Sequence, residues 1–241
     1  MKKSIETPPL KEQPSLISGI IARAGQILFL LIFMGLVLFL GSGHLNWTAA
    51  WVYLGISLLG ILINATFLLR TKPEMVAERG KPKEVKDWDK LVSGLMALAQ
   101  YLLLPLVAAL DLRFGWTREY SRVWQGLGGL VYAGGLGLTS WAMIVNAYFS
   151  TAVRIQSDRG QTVCSSGPYH YVRHPGYVGF IFSALGMAIL LGSLWALIPA
   201  ILSCVLIIIR TSLEDRMLQA ELPGYKEYSQ EVRFRLVPGV W

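Results

Sequence analysis

Charge is scarce in this chain: Asp, Glu, Lys and Arg make up 15% of its 241 residues, against roughly 25% in ordinary soluble domains. Cysteine is nearly absent. Cys164 and Cys204 form no metal or redox spacing, which excludes a disulfide framework. Histidine is equally rare, and His44, His170 and His174 stand without clustered acids, so no metal site is expected. A base set beside a nucleophile is missing too. The net charge of +7 raises the question of nucleic acid, but no basic face with interleaved aromatics supports it. No apolar run carries a charge at its centre, which argues against an ion path or transporter.

Long apolar blocks fill the space that charge leaves, with hydrophobic residues at 54% of the chain. Each block is about 20 residues, enough to cross a bilayer. The expected fold is all-α: a polytopic helical membrane protein of about six spans, at residues 18–40, 48–69, 91–110, 123–147, 177–191 and 194–211. The fifth is short and forms a tight hairpin with the sixth through Gly192 and Ser193. Residues 1–145 then hold the first four spans, and 146–241 form a C-terminal region with a cytosolic cofactor-binding segment. The polar start, with Pro8, Pro9 and Pro14, reads as an arm before a retained first span and not as a cleaved signal.

Lys and Arg sit in alternate loops. Lys2, Lys3, Lys11 and Arg23 flank the first span, and Arg70, Lys72, Arg79, Lys81, Lys83, Lys86 and Lys90 fill the second loop. The loop at 41–47 and the Gly192–Ser193 turn have none. This bias places both termini in the cytoplasm, and the composition fits a bacterial inner membrane. Met75, Val76, Val85 and Trp88 among the loop charges fit a short helix on the headgroups or a solvated connector. Six glycines in the fourth span (126, 128, 129, 134, 135 and 137) read as helix-packing residues.

One polar cassette interrupts this pattern, Gly167-Pro168-Tyr169-His170-Tyr171-Val172-Arg173-His174-Pro175-Gly176-Tyr177. Pro175 suits the first turn of a helix, whose start, beside Arg173 and His174, favours an anionic group such as a carboxylate. The tyrosines offer flat faces for a heterocycle, although aromatic belts populate headgroup levels anyway. His170 reads as an exposed loop residue. After the hairpin come Arg210 and Glu214, four residues apart on one helix face, either a helix-end ion pair or grips on separate bound charges. Asp215 points about 100° away and reads as solvated.

The run G-P-Y-x-Y-x-R-H-P-G-Y followed by R-x-x-x-E-D resembles the isoprenylcysteine carboxyl methyltransferase family of integral membrane enzymes. The likeness covers roughly residues 146–241, with weaker likeness around Pro73-Glu74 and Trp88-Asp89-Lys90. The resemblance implies S-adenosylmethionine in a cytosolic pocket capped by the C-terminal tail, and a lipophilic or lipidated acceptor reached from the membrane. The implied donor contacts are Gln161, Thr162, Val163, Cys164, Tyr169, Arg173, His174, Pro175, Gly176, Tyr177 and Glu214. Arg210 corresponds to the residue beside the acceptor carboxylate. The chain departs from the pattern at Gln161, where eukaryotic members carry histidine.

Other readings stay open: a phospholipid amine as acceptor, with Glu214, Asp215 or His170 as proton acceptor; an NADPH-dependent membrane reductase of sterol type, with Arg173, Arg233 and Arg235 near a 2′-phosphate; or a non-enzymatic scaffold. Nothing in the residues fixes the oligomeric state.

Overall fold

The computed structural model describes residues 16–80 and 85–241. The arm carrying Lys2, Lys3 and Lys11, and the loop lysines Lys81 and Lys83, lie outside the described residues. Helices dominate, and no strand occurs among the described residues.

Helices α1 (Leu16–Ser42) and α2 (Thr48–Thr71) are long enough to span a membrane, and a short turn joins them. The short α3 (Pro73–Gly80) follows directly, with Pro73 at its start. It does not lie apart from the bundle. Gly80 and Gly19 bring α3 into backbone contact with α1, and Gln26 Nε2 donates to Gly80 O at 2.9 Å.

The third span is α4 (Asp87–Ala97) and α5 (Leu104–Phe114), joined by a π-helical segment at Leu98–Leu103. Pro105 explains part of the break, because it removes one donor from the helical ladder. The span ends at Gly115, whose φ of 65° puts it in the left-handed region. Buried Asp111 then fastens the far end. It accepts from Thr117 N and Thr117 Oγ1, both at 2.7 Å, and bonds Ser193 Oγ of the hairpin turn.

Helix α6 (Arg122–Val145) packs along α7 (Pro175–Leu190) through glycine. A Cβ on Gly135 would lie 2.6 Å from Gly179 O and Ser183 N, so only glycine permits this approach. Gly128 and Gly186 meet the partner backbone in the same way, while Gly126, Gly134 and Gly137 face open space. The packing role thus belongs to part of the glycine set.

At 16 residues α7 is about 24 Å long, less than a bilayer core of about 30 Å. The chain turns at Gly192, φ 74°, and returns as α8 (Leu197–Glu221). With 25 residues, α8 runs ten positions past the expected end at Thr211. That extension carries Glu214 and Asp215 beyond the start of α7, where α9 (Tyr225–Glu231) and the tail fold back. The chain is a polytopic helical membrane protein, with five span-length helices and the shorter α7 among the described residues.

Candidate active site

The segment between α6 and α7 has little regular structure, and side chains fix its course. Arg154 donates to Glu78 Oε1 of α3 through Nε (3.1 Å) and Nη2 (2.9 Å), and through Nη1 to Asp158 Oδ1 (2.8 Å). Burial pulls the Arg154 guanidinium down, but the bonds from Asp158 and Glu78 outweigh it and raise the pKa. Gln156 sets the next turn. Its N–H donates to Gln161 Oε1 at 2.6 Å, and its side-chain amide to Tyr148 O at 2.7 Å. Gln161 thereby holds the loop's shape with its oxygen, while its NH₂ can still donate elsewhere.

Asp89 fixes the remaining part. It is fully buried and accepts from Val153 N at 2.7 Å. Arg210 binds it bidentately, Nε to Oδ1 at 2.7 Å and Nη2 to Oδ2 at 3.1 Å, and donates to Thr151 O at 2.9 Å. Of the two readings of Arg210 and Glu214, the helix-end ion pair is not formed, and Arg210 pairs with Asp89. A residue 121 positions earlier reaches the same helix face and offers both carboxylate oxygens. Glu214 instead accepts from the Tyr177 hydroxyl. The Tyr177 ring stacks on His174, centroids 5.6 Å apart and planes 3° apart, and the Arg210 guanidinium sits 5.5 Å from its centre.

Asp215 is not solvated; it is the hub of the region. Wholly buried, it accepts from Arg173 Nε at 2.7 Å and Nη2 at 3.0 Å, from Arg235 Nε at 2.8 Å and from Tyr225 Oη at 3.0 Å. Its Oδ1 also lies 3.3 Å from His174 Nε2. The tail makes this burial. Arg173 N donates to Phe234 O (2.9 Å) and His174 N to Arg235 O (3.0 Å), while Arg173 Nη1 donates to Val232 O and Arg233 O. Burial pulls the Arg173 guanidinium down, and the Asp215 bonds raise it above the ordinary arginine value. These tail bonds also engage the backbone donor of His174, the residue just before α7.

The loop, the start of α7, the end of α8 and α9 line one cavity. Gln161, Thr162, Val163, Cys164, Tyr169, Arg173, His174, Gly176, Tyr177 and Glu214 all line it. Pro175 lies buried behind its wall, and Arg210 sits beneath Tyr177 outside the lining. His170 is exposed, as expected.

Several lining residues escape the sequence reading, including Tyr148, Phe149 and Leu218, while Tyr225 and Tyr228 come from the tail expected to cap the pocket. Tyr228 Oη donates to Tyr169 O at 2.6 Å, binding α9 to the cassette. Burial raises the Tyr169 and Tyr228 phenols well above their ordinary values, so both stay neutral hydrogen-bonding groups. The aromatic content of the tail was the available signal. No group of three His, Cys, Asp or Glu able to hold a metal occurs among the described residues.

Residues 130–220 match the family model described as the Isoprenylcysteine carboxyl methyltransferase (ICMT) family. Over that stretch, well under half of the chain, the sequence is similar to the ICMT family. The match spans α6 from Leu130 onward, the loop, the cassette, α7 and nearly all of α8. It includes every sequence-predicted site residue of this chain. The chain is a multi-pass membrane protein whose C-terminal part is similar to a methyltransferase family. No curated protein matched the chain.

Proposed function

We propose that this protein transfers a methyl group from S-adenosylmethionine to a lipophilic acceptor, a carboxylate of isoprenylcysteine type. One observation carries the reading: within the ICMT match, the loop, cassette and Glu214 of α8 face a single cavity. The cofactor's charges suit this lining. Glu214 offers a carboxylate for the donor's ammonium. The rings of Tyr148, Phe149, Tyr169 and Tyr177 offer faces for the adenine and the cationic sulfonium. Gln161, Thr162, Val163 and Cys164 form the side opposite the helices, and the Gln161 amide supplies donors. When bound, S-adenosylmethionine supplies an electrophilic methyl group.

The chain's own part is positioning and exclusion of water. A carboxylate is already ionised at neutral pH, so this transfer needs no general base, and rate comes from alignment in a closed site. Asp89 and Thr151 occupy Nε and Nη2 of Arg210. Nη1 is left for the acceptor carboxylate, with the guanidinium plane set by Asp89. Both termini and the cavity face the cytoplasm in this reading, and 146–241 act as the catalytic region over a membrane base of 1–145.

The alternatives lose support in the geometry. An amine acceptor needs a base, and Asp215 is fully committed to Arg173, Arg235 and Tyr225. A 2′-phosphate would want Arg173 and Arg235, both held by that carboxylate. The test uses labelled S-adenosylmethionine with the purified protein and either a prenylcysteine or phosphatidylethanolamine. The expected product is a methyl ester, its label released by mild base. A base-stable labelled lipid amine would overturn the carboxylate assignment.

A further inference from the structure

Two arginines without an acidic partner among the described residues lie in the other half of the molecule. Helices α1, α2, α3 and α6 line a second cavity. Most of its wall is apolar, with Ile27, Leu30 and Leu31 of α1 facing Ile61 and Ala65 of α2. At one end stand Arg23 of α1 and Arg79 of α3, with Tyr101 from the π-helical segment. Such segments recur at functional sites.

Hydrogen bonding leaves this end unsatisfied. Arg23 Nη1 reaches Gln26 Oε1, a neutral acceptor, at 3.3 Å. The Arg79 guanidinium lies 5.5 Å from the centre of the Phe149 ring, and its Nη1 is buried with no hydrogen-bond partner among the described residues. No carboxylate lines the cavity. The two cations are held by construction, because Gly80 and Gly19 lock α3 onto α1 and leave no slack between them. Burial, and then the charge of Arg23, lower the Arg79 guanidinium to about 9. Both side chains keep some exposure, but the buried Arg79 Nη1 lacks an acceptor, and such a group is unfavourable unless a counter-charge arrives.

We propose that this cavity binds an anionic membrane lipid, its charged headgroup held by Arg79 and Arg23 and its chain lying between α1 and α2. The charge selects an anion, and the apolar wall between two span-length helices selects one that carries a hydrocarbon chain. A soluble anion would satisfy the arginines and leave that wall uncovered. The assignment does not depend on methyl transfer.

Native mass spectrometry of the full chain in uncharged detergent tests it, with phosphatidylglycerol and phosphatidylcholine of matched chains as probes. One phosphatidylglycerol is expected to bind roughly tenfold more tightly than phosphatidylcholine, as for one or two charge-assisted hydrogen bonds. Arg79→Gln should abolish that preference, Arg23→Gln should weaken it, and Arg79→Lys should retain most of it. S-adenosylmethionine binding by Arg79→Gln should stay at the wild-type level, which separates loss of this site from failure of the cofactor site and from misfolding. Equal binding of the two lipids to the wild type would overturn the proposal. So would undiminished preference in both glutamine variants, or equal stabilisation by inorganic phosphate alone.

Discussion

Asp215→Ala is expected to cost about 3–5 kcal/mol and to release the C-terminal tail, because it strands the Arg173 cation in a buried place and removes the partner of Arg235. Asp215 has no surface exposure, and Arg173 is 6% exposed. Removing one member of such a pair exposes the desolvation penalty of the other, which is why the effect exceeds that of any surface ion pair. The loss is local before it is global. Tyr225 and Arg235 belong to α9 and the tail, and both bind the same carboxylate. Limited proteolysis should therefore cut the tail after Tyr225 at least a hundredfold faster in the variant, and donor affinity should fall with it. Asp215→Asn keeps the shape and the acceptor oxygen, so it should fall between the two. A tail as resistant in Asp215→Ala as in the wild type would refute the hub.

Turnover and stability should separate at the Asp89–Arg210 pair. Each single alanine variant is expected to lose about 3–5 kcal/mol, since each leaves its partner buried and alone. The double variant should be more stable than the sum of the singles requires, a coupling of neighbours in one network. Methyl transfer should not recover with it. Arg210 borders Tyr177 and supplies Nη1 for the acceptor in the proposed function, so both Arg210→Ala variants should lose at least about a hundredfold in kcat, as for other misplaced reacting groups. A double variant that regained both stability and turnover would reduce Arg210 to a structural role.

The spans were legible because composition alone marks them, and their order from α1 to α8 follows the hydrophobic blocks. The cassette was legible because local chemistry defines it: proline at a helix start, and charge and rings where apolar residues would cost least. Long-range pairing was not. Asp89 and Arg210 are far apart in sequence, and nothing local shows that Asp89 reaches α8. Asp215 looked solvated because a helix face says only where a residue points. The tail that covers it comes later in the chain and docks through extended backbone at Phe234 and Arg235, which has no periodic signal. Arg23 and Arg79 were hidden for another reason. Each counted as an ordinary loop cation in the topology reading, and only folding α3 against α1 brings them to one cavity.

Cofactor choice is the sharpest question for this account. Isothermal titration of the full chain in detergent with S-adenosylmethionine, and separately with NADPH, answers it directly. The account predicts one S-adenosylmethionine per chain, no measurable NADPH binding, and loss of at least tenfold in affinity when Glu214→Gln removes the charge facing the donor's ammonium. NADPH binding to the wild type, or S-adenosylmethionine binding indifferent to Glu214→Gln, would contradict it.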